Sequence, residues 1–395
     1  MRLCGTWRAL VGAAAILAAI PIVVGPATAY DQLVEKREFV LETFVTEQGE
    51  TLPEVRIGWE AYGELNEARD NVILICHFFS GTSNAAGKYS EDQAQPGYWD
   101  AIIGPGKPID TDRFYVISSD TLVNLNVADP KVVTTGPASI DPATGKPYGL
   151  DFPVVSMRDF VEVQKALLES LGIETLYAVM GASGGSVQTM EWAAAYPEMV
   201  PRAIPVISPG LDMPAYVIGL LKMWNMPIQM DPNWNGGDYY DGEPPVEGLS
   251  NALQLVTLNA LHFDWADTTF GRAPAEEGGD PKAAFGAAYK VEAGLQASGD
   301  GRATTTDANH FLYMSKANMT FSVAEEIDRI QAKVLFVPAE GDMIFPPFLS
   351  ERWAEKLRAQ GNEAEVVTVT GPFGHLNGIF NIAQAGEAIA DFLAD

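Results

Sequence analysis

Short runs of apolar residues punctuate the chain, and stretches with helical spacing separate them. Runs at 37–46 (REFVLETFVT), 54–62 (EVRIGWEAY), 71–78 (NVILICHF), 113–119 (RFYVISS), 176–182 (LYAVMGA), 202–208 (RAIPVIS), 333–339 (KVLFVPA) and 364–370 (AEVVTVT) predict eight strands. The later runs are short and nearly all apolar, as strands covered on both faces are. The first two alternate more and have no helix between them, which predicts an antiparallel hairpin at one edge. Helical patterns at 157–172, 184–196, 348–360 and 380–394 fall between or after the later strands. Strands alternating with helices predict an α/β class protein with a mostly parallel sheet.

The alternation stops between Pro209 and Ala324. Four helical patterns follow one another there, at 213–226, 247–263, 281–297 and 306–321, joined by loops such as NWNGGDYYDGEPP. This predicts a helical lid, 209–324, inserted into a core made of 30–208 and 325–395. Met223, Trp224, Met226, Met230 and Trp234 make part of the lid strongly apolar. Most of them are expected to pack onto the sheet and a minority to line a substrate entrance.

The first residues form a separate unit. Arg2 and Arg8 precede an apolar run from Ala9 to Val24, and Ala27-Thr28-Ala29 closes it. That pattern predicts a signal peptide cleaved after Ala29, hence an exported protein, periplasmic or secreted, without stable membrane insertion after cleavage. Cleavage removes Cys4 and leaves Cys76 alone, so no internal disulfide can form, and Cys76 reads as a core residue. The formal net charge of −27 argues against nucleic acid and anionic membrane surfaces as partners.

The candidate chemistry starts at Gly181-Ala182-Ser183-Gly184-Gly185. It fits G-x-S-x-G, with an apolar strand before it and a helical pattern after it, as a nucleophile elbow requires. Ser186 lacks the second glycine and falls inside the helix. A serine nucleophile needs a base, and the chain has four histidines: His77, His262, His310 and His375. His375 lies after the last strand and before the last helix, where the chain order Ser, Asp, His puts the base. His262 and His310 fall on lid helices as packed or surface residues, and His77 ends a strand. The acid follows the preceding strand. Asp342 is better placed to reach His375, with Glu340 as the alternative. The backbone N–H groups of Phe79 and Gly184 are the expected oxyanion hole, with His77 shaping the Phe79 loop and the Ser80 hydroxyl a further donor there. This chemistry takes a small-molecule ester and needs no metal and no cofactor.

Beyond the elbow, PGYWDAIIGPGKPIDTDRFYVISSD, TGPASIDPATGKPYGLDFPVVSMRDFVEVQ, GASGGSVQTMEWAAAYPE, DPNWNGGDYY, TDANHFLY and GDMIFP follow in order. From about Val40 onward the chain resembles the homoserine O-acetyltransferase family of α/β hydrolases. The resemblance implies a lid over the active site, a ping-pong mechanism through an acyl-serine, and a homodimer assembled through the lid helices. Three features depart from it. Asn225 stands where the family's pattern has a carboxylate-binding arginine, although Lys222 lies one helical turn away. Leu376 follows His375 where the family usually has aspartate. The signal peptide would take the protein away from acetyl-CoA. These departures point to an exported serine carboxylesterase, with an O-acyltransferase as the alternative.

Overall fold

The structure is a computed structural model that describes Tyr30 and residues 32–394; the predicted signal peptide lies outside the described residues. One sheet of eight strands organises the chain. Its members are β1 (Arg37–Leu41), β2 (Val55–Tyr62), β3 (Val72–Cys76), β4 (Tyr115–Ser119), β5 (Ala178–Ala182), β6 (Arg202–Val206), β7 (Lys333–Phe336) and β8 (Ala364–Val366). Their spatial order is β1-β2-β4-β3-β5-β6-β7-β8. β2 runs antiparallel to both of its neighbours, and every other pairing is parallel. The expected edge hairpin is therefore present, with Arg37 opposite Trp59.

The unbroken apolar runs follow from two covered faces. In β3, Leu74 and Cys76 join one hydrophobic cluster while Ile73 and Ile75 join the other, because successive side chains point to opposite sides. The first face is covered by α1 (Met157–Ser170), α2 (Gly184–Ala195) and, further along the chain, α8 (Phe348–Ala359), through Phe160, Trp192 and Trp353. The C-terminal helix Gly386–Ala394 covers the second face through Ile389 and Phe392. Cys76 is buried as expected, and burial pushes its thiol pKa up.

Between β6 and β7 the chain leaves the sheet and forms α3 (Ala215–Met230), α4 (Val246–Ala260), α5 (Phe263–Thr269), α6 (Lys290–Ala303) and α7 (Ala308–Met319). Three details differ from the sequence reading. α3 continues through Pro227, with Asp231 N–H bonding the Pro227 carbonyl at 3.1 Å beyond it. α6 starts nine residues later than the predicted 281, because Glu292 caps the Tyr289 N–H (2.7 Å) and fixes the helix start there. The predicted 380–394 helix is interrupted, with a short turn, α9 (Asn377–Phe380), preceding the C-terminal helix, α10. Met223 and Met230 are exposed, whereas Trp224 is buried. No helix among the described residues is long and apolar enough to cross a membrane.

Candidate active site

Ser183 follows β5 directly and adopts φ 54°, ψ −117°, a backbone conformation that non-glycine residues rarely hold. Its N–H bonds the Val206 carbonyl (2.9 Å), which ties the turn to β6. The tight turn explains the flanking glycines. A Cβ on Gly185 would lie 2.0 Å from the Cys76 carbonyl oxygen, and one on Gly181 would lie 2.3 Å from the Gly185 oxygen. Ser186 is buried in α2, and its hydroxyl donates back to the Ser183 carbonyl (2.6 Å).

Three sequence-remote side chains meet at this turn. Ser183 Oγ lies 2.8 Å from His375 Nε2, and His375 Nδ1 lies 2.7 Å from Asp342 Oδ2. The other carboxylate oxygen, Oδ1, accepts from the Ile344 and Phe345 N–H groups (2.8 and 2.9 Å). With the carboxylate accepting at both oxygens, the imidazole proton sits on Nδ1 and leaves Nε2 free to take the serine proton. The Phe345 ring meets the imidazole edge-on at 5.5 Å. Asp342 and His375 are both buried. Glu340, the alternative acid, is exposed, and its carbonyl accepts from Asn377 (3.4 Å).

Phe79 lies on the loop after β3. A Cβ on Gly184 would be 3.2 Å from the Phe79 nitrogen, so the two backbone segments adjoin. Among the described residues nothing accepts from the Phe79 N–H. Gly184 opens α2, where an N–H has no intrahelical acceptor. The Phe79 and Gly184 N–H groups thus sit on adjoining backbone next to Ser183, and a tetrahedral oxyanion is stabilised by donors of this kind. His77 holds the loop's base. Its Nδ1 donates to the Phe78 carbonyl (2.8 Å), and its Nε2 accepts from Asn124 Nδ2 (3.2 Å). Burial lowers its pKa, in keeping with a neutral ring. Among the described residues the Ser80 carbonyl, not its hydroxyl, is engaged, accepting from Asn126 (3.2 Å).

Lid helices pack against this loop. The Phe79 ring packs edge-on against Trp224 of α3 (5.8 Å) and Phe311 of α7 (5.1 Å). Asn225 is buried, and among the described residues its Oδ1 has no hydrogen-bond partner. Leu376 is half-buried and packs against the hydrophobic clusters of both faces. Lys222 is not brought into the site: it is exposed, and its ammonium donates to Gln229 (3.1 Å) on the lid surface. Two lid residues outside the sequence motifs also reach the site, one at the elbow and one beside the acid. Asn318 Oδ1 lies 3.5 Å from the point a Gly184 Cβ would occupy, and the His262 ring lies 3.0 Å from the corresponding point on Gly341, beside Asp342. A cavity of about 380 Å³ lined by Asp328, Lys333 and Glu363 lies at the start of β7, at the opposite end of the parallel strands from Ser183. Among the described residues no three His, Cys, Asp or Glu side chains cluster as a metal site.

Comparison with known proteins places this geometry. Residues 129–381 match the family model for the alpha/beta hydrolase fold. A homoserine O-acetyltransferase from Symbiobacterium thermophilum is 39% identical over 360 residues, covering 89% of this chain and 92% of that protein. The crystal structure of esterase E22 superposes with a TM-score of 0.88 at 48% identity, covering 91% of this chain and all of that one. The homoserine O-acetyltransferase from Bacillus anthracis superposes with the same TM-score, 0.88, at 36% identity, covering 92% and 98% of the two chains.

Proposed function

Because the chain belongs to the homoserine O-acetyltransferase family of α/β hydrolases, we propose a serine mechanism ended by water, that of a carboxylesterase. Ser183 Oγ attacks the ester carbonyl while His375 Nε2 takes its proton. The Phe79 and Gly184 N–H groups hold the oxyanion, each such donor contributing about 2.7–4 kcal/mol to transition-state stabilisation. Collapse expels the alcohol, which leaves with the proton from His375. A water then gives a proton to His375 and attacks the acyl carbonyl. The bond between the acyl carbon and Oγ then breaks, His375 returns the proton to Ser183 Oγ, and the acid departs.

The observation that carries this reading is the neutrality of the side chains where an amino-acid acceptor would bind. Leu376, not a carboxylate, follows His375, Asn225 is uncharged, and Lys222 faces solvent. Each charge-assisted contact that homoserine thereby forgoes is worth about 1.5–3 kcal/mol. Together they amount to roughly two to four orders of magnitude in affinity. The 48% identity to an esterase against 36% to an acetyltransferase supports the same direction. The test is hydrolysis of p-nitrophenyl esters from acetate to octanoate. Turnover is expected for the purified protein, with a loss of roughly 10⁴-fold or more in Ser183→Ala. No Ser183-dependent hydrolysis across the panel would contradict the proposal.

The acyltransferase reading keeps the same catalytic groups and is favoured by the curated relatives, homoserine O-acetyltransferases at 38–39% identity. Formation of O-acetylhomoserine faster than hydrolysis of acetyl-CoA would establish it. Export is part of the proposal, since outside the cytoplasm water is the abundant acceptor; a secreted or periplasmic form beginning at Tyr30 is the expected product, and a cytoplasmic protein retaining Met1 would refute it. A homodimer through the lid is proposed as well. Tyr216, Met223 and Met230 are 76%, 49% and 73% exposed and recur every seven residues along one side of α3. Light scattering should give twice the chain mass, and Met223→Glu with Met230→Glu should give the monomer; a monomeric unsubstituted protein would refute it.

A further inference from the structure

We propose that Asn124 is a positioning residue that ties lid helix α7 to the oxyanion loop and thereby sets where the Phe79 N–H points. The inference rests on the reading of that N–H as an oxyanion donor.

Asn124 follows β4 and is fully buried. Its side-chain amide spans the loop. Nδ2 donates to His77 Nε2 (3.2 Å) and to the Gly81 carbonyl (3.1 Å), two residues before and two residues after Phe79. Its Oδ1 accepts from the Asn126 N–H (3.0 Å), and Asn126 Nδ2 in turn donates to the Ser80 carbonyl (3.2 Å). One amide therefore holds both ends of the segment that presents Phe79, and its neighbour holds the middle.

The lid grips the same residue from the other side. His310 of α7 has its Nδ1 2.8 Å from the Asn124 carbonyl, and its Nε2 accepts from the Ala138 N–H (3.1 Å). A carbonyl only accepts and a backbone N–H only donates, so the His310 ring is neutral with its proton on Nδ1. Burial, which lowers the pKa of His310, keeps it so. The next residue of α7, Phe311, packs on the Phe79 ring at 5.1 Å, a second and independent contact between this helix and the loop.

The backbone beside Asn124 needs such pins. Val123 is buried with φ 51°, a conformation that a branched side chain disfavours. Backbone of this kind persists where its surroundings over-determine it. The Val123 N–H bond to the Thr135 carbonyl (2.9 Å) and the His310 bond to the Asn124 carbonyl fix it on either side. The chain of contacts runs from α7 through His310, Asn124, and the His77–Gly81 loop to the donor beside Ser183.

The test compares Asn124→Ala, His310→Leu and His310→Asn with the unsubstituted enzyme, with melting temperature measured for each. His310→Asn keeps a donor for the Asn124 carbonyl. A displaced oxyanion donor should lower kcat by roughly 10- to 100-fold while KM stays within about twofold. Affinity for a trifluoromethyl ketone, which forms a hemiketal oxyanion on Ser183, should fall by the same factor as kcat/KM. His310→Asn should recover most of both losses. Unchanged kcat and ketone affinity in folded Asn124→Ala and His310→Leu would overturn the proposal, as would losses confined to KM or equal in both His310 variants. If Asn124→Ala does not fold, the His310 pair decides by the same criteria. An unsubstituted enzyme without Ser183-dependent turnover would instead defeat the esterase reading itself.

Discussion

Ser183, Asp342 and His375 each follow a strand of the parallel sheet, whereas Phe79, also beyond a strand end, is held by side chains that come from β4's extension and from the lid. On the first side, the turn after β5 is bonded to β6, and Asp342 is fixed by two N–H groups of its own loop. On the second side, His77, Asn124 and His310 form a buried hydrogen-bonded chain from the loop to α7. The difference separates two tasks. In the proposed mechanism the sheet delivers the nucleophile and base, and the lid takes part in shaping the electrostatic half of the site. A single enzyme can therefore be disturbed on either side with different kinetic consequences.

The largest expected effect lies on the sheet side. Asp342→Asn should preserve the fold and lower kcat by roughly 10³–10⁴-fold, because the amide favours the wrong imidazole tautomer. Steady-state hydrolysis of a p-nitrophenyl ester measures it, and a loss below tenfold would break the assignment of the acid. The lid side should answer to pH. Burial lowers the pKa of His310 in the folded chain below its unfolded value of about 6.5. The unfolded chain therefore binds the proton first as pH falls. The stability contributed by neutral His310 is present above about pH 6.5 and is lost as pH drops below it. Thermal melts from pH 7 to pH 5 should show a smaller fall for His310→Asn than for the unsubstituted protein. Buried Glu60 acts with the opposite sign, since burial raises its pKa to about 7 and its contribution is lost as pH rises toward that value. The difference between the two proteins, with Glu60 common to both, isolates the histidine; equal slopes would contradict the lid-side account. The smallest effect belongs to Lys222→Ala, which should leave kcat/KM within about twofold, as exposed surface changes do. A tenfold fall would show that the lid cation reaches the substrate.

Much of the sheet side was legible in the sequence because it depends on local pattern and chain order. Strand, small residues and helix around Ser183 announce a tight turn, and the acid and base then fall at successive strand ends. The position of Phe79 was legible for the same reason. What holds Phe79 was not, because Asn124 and His310 are 186 residues apart, and neither carries a motif that names the other. His310 was read as a packed or surface histidine; it is packed, and its packing is the link. The orientation of Lys222 was equally hidden, since one helical turn from Asn225 leaves open which side the ammonium faces. The burial of Trp224 and Asn225 beside it puts Lys222 on the outer side of α3. Helix limits in the lid depended on a cap at Glu292 and on tolerance of Pro227, both decided by contacts that periodicity does not record.

The central claim is that water, not an amino-acid alcohol, receives the acyl group from Ser183. The direct measurement is product partition with p-nitrophenyl acetate as donor and increasing homoserine as competing acceptor. Acetate should remain the main product, and homoserine should not accelerate p-nitrophenol release. O-acetylhomoserine formed in excess of acetate at millimolar homoserine would contradict the account.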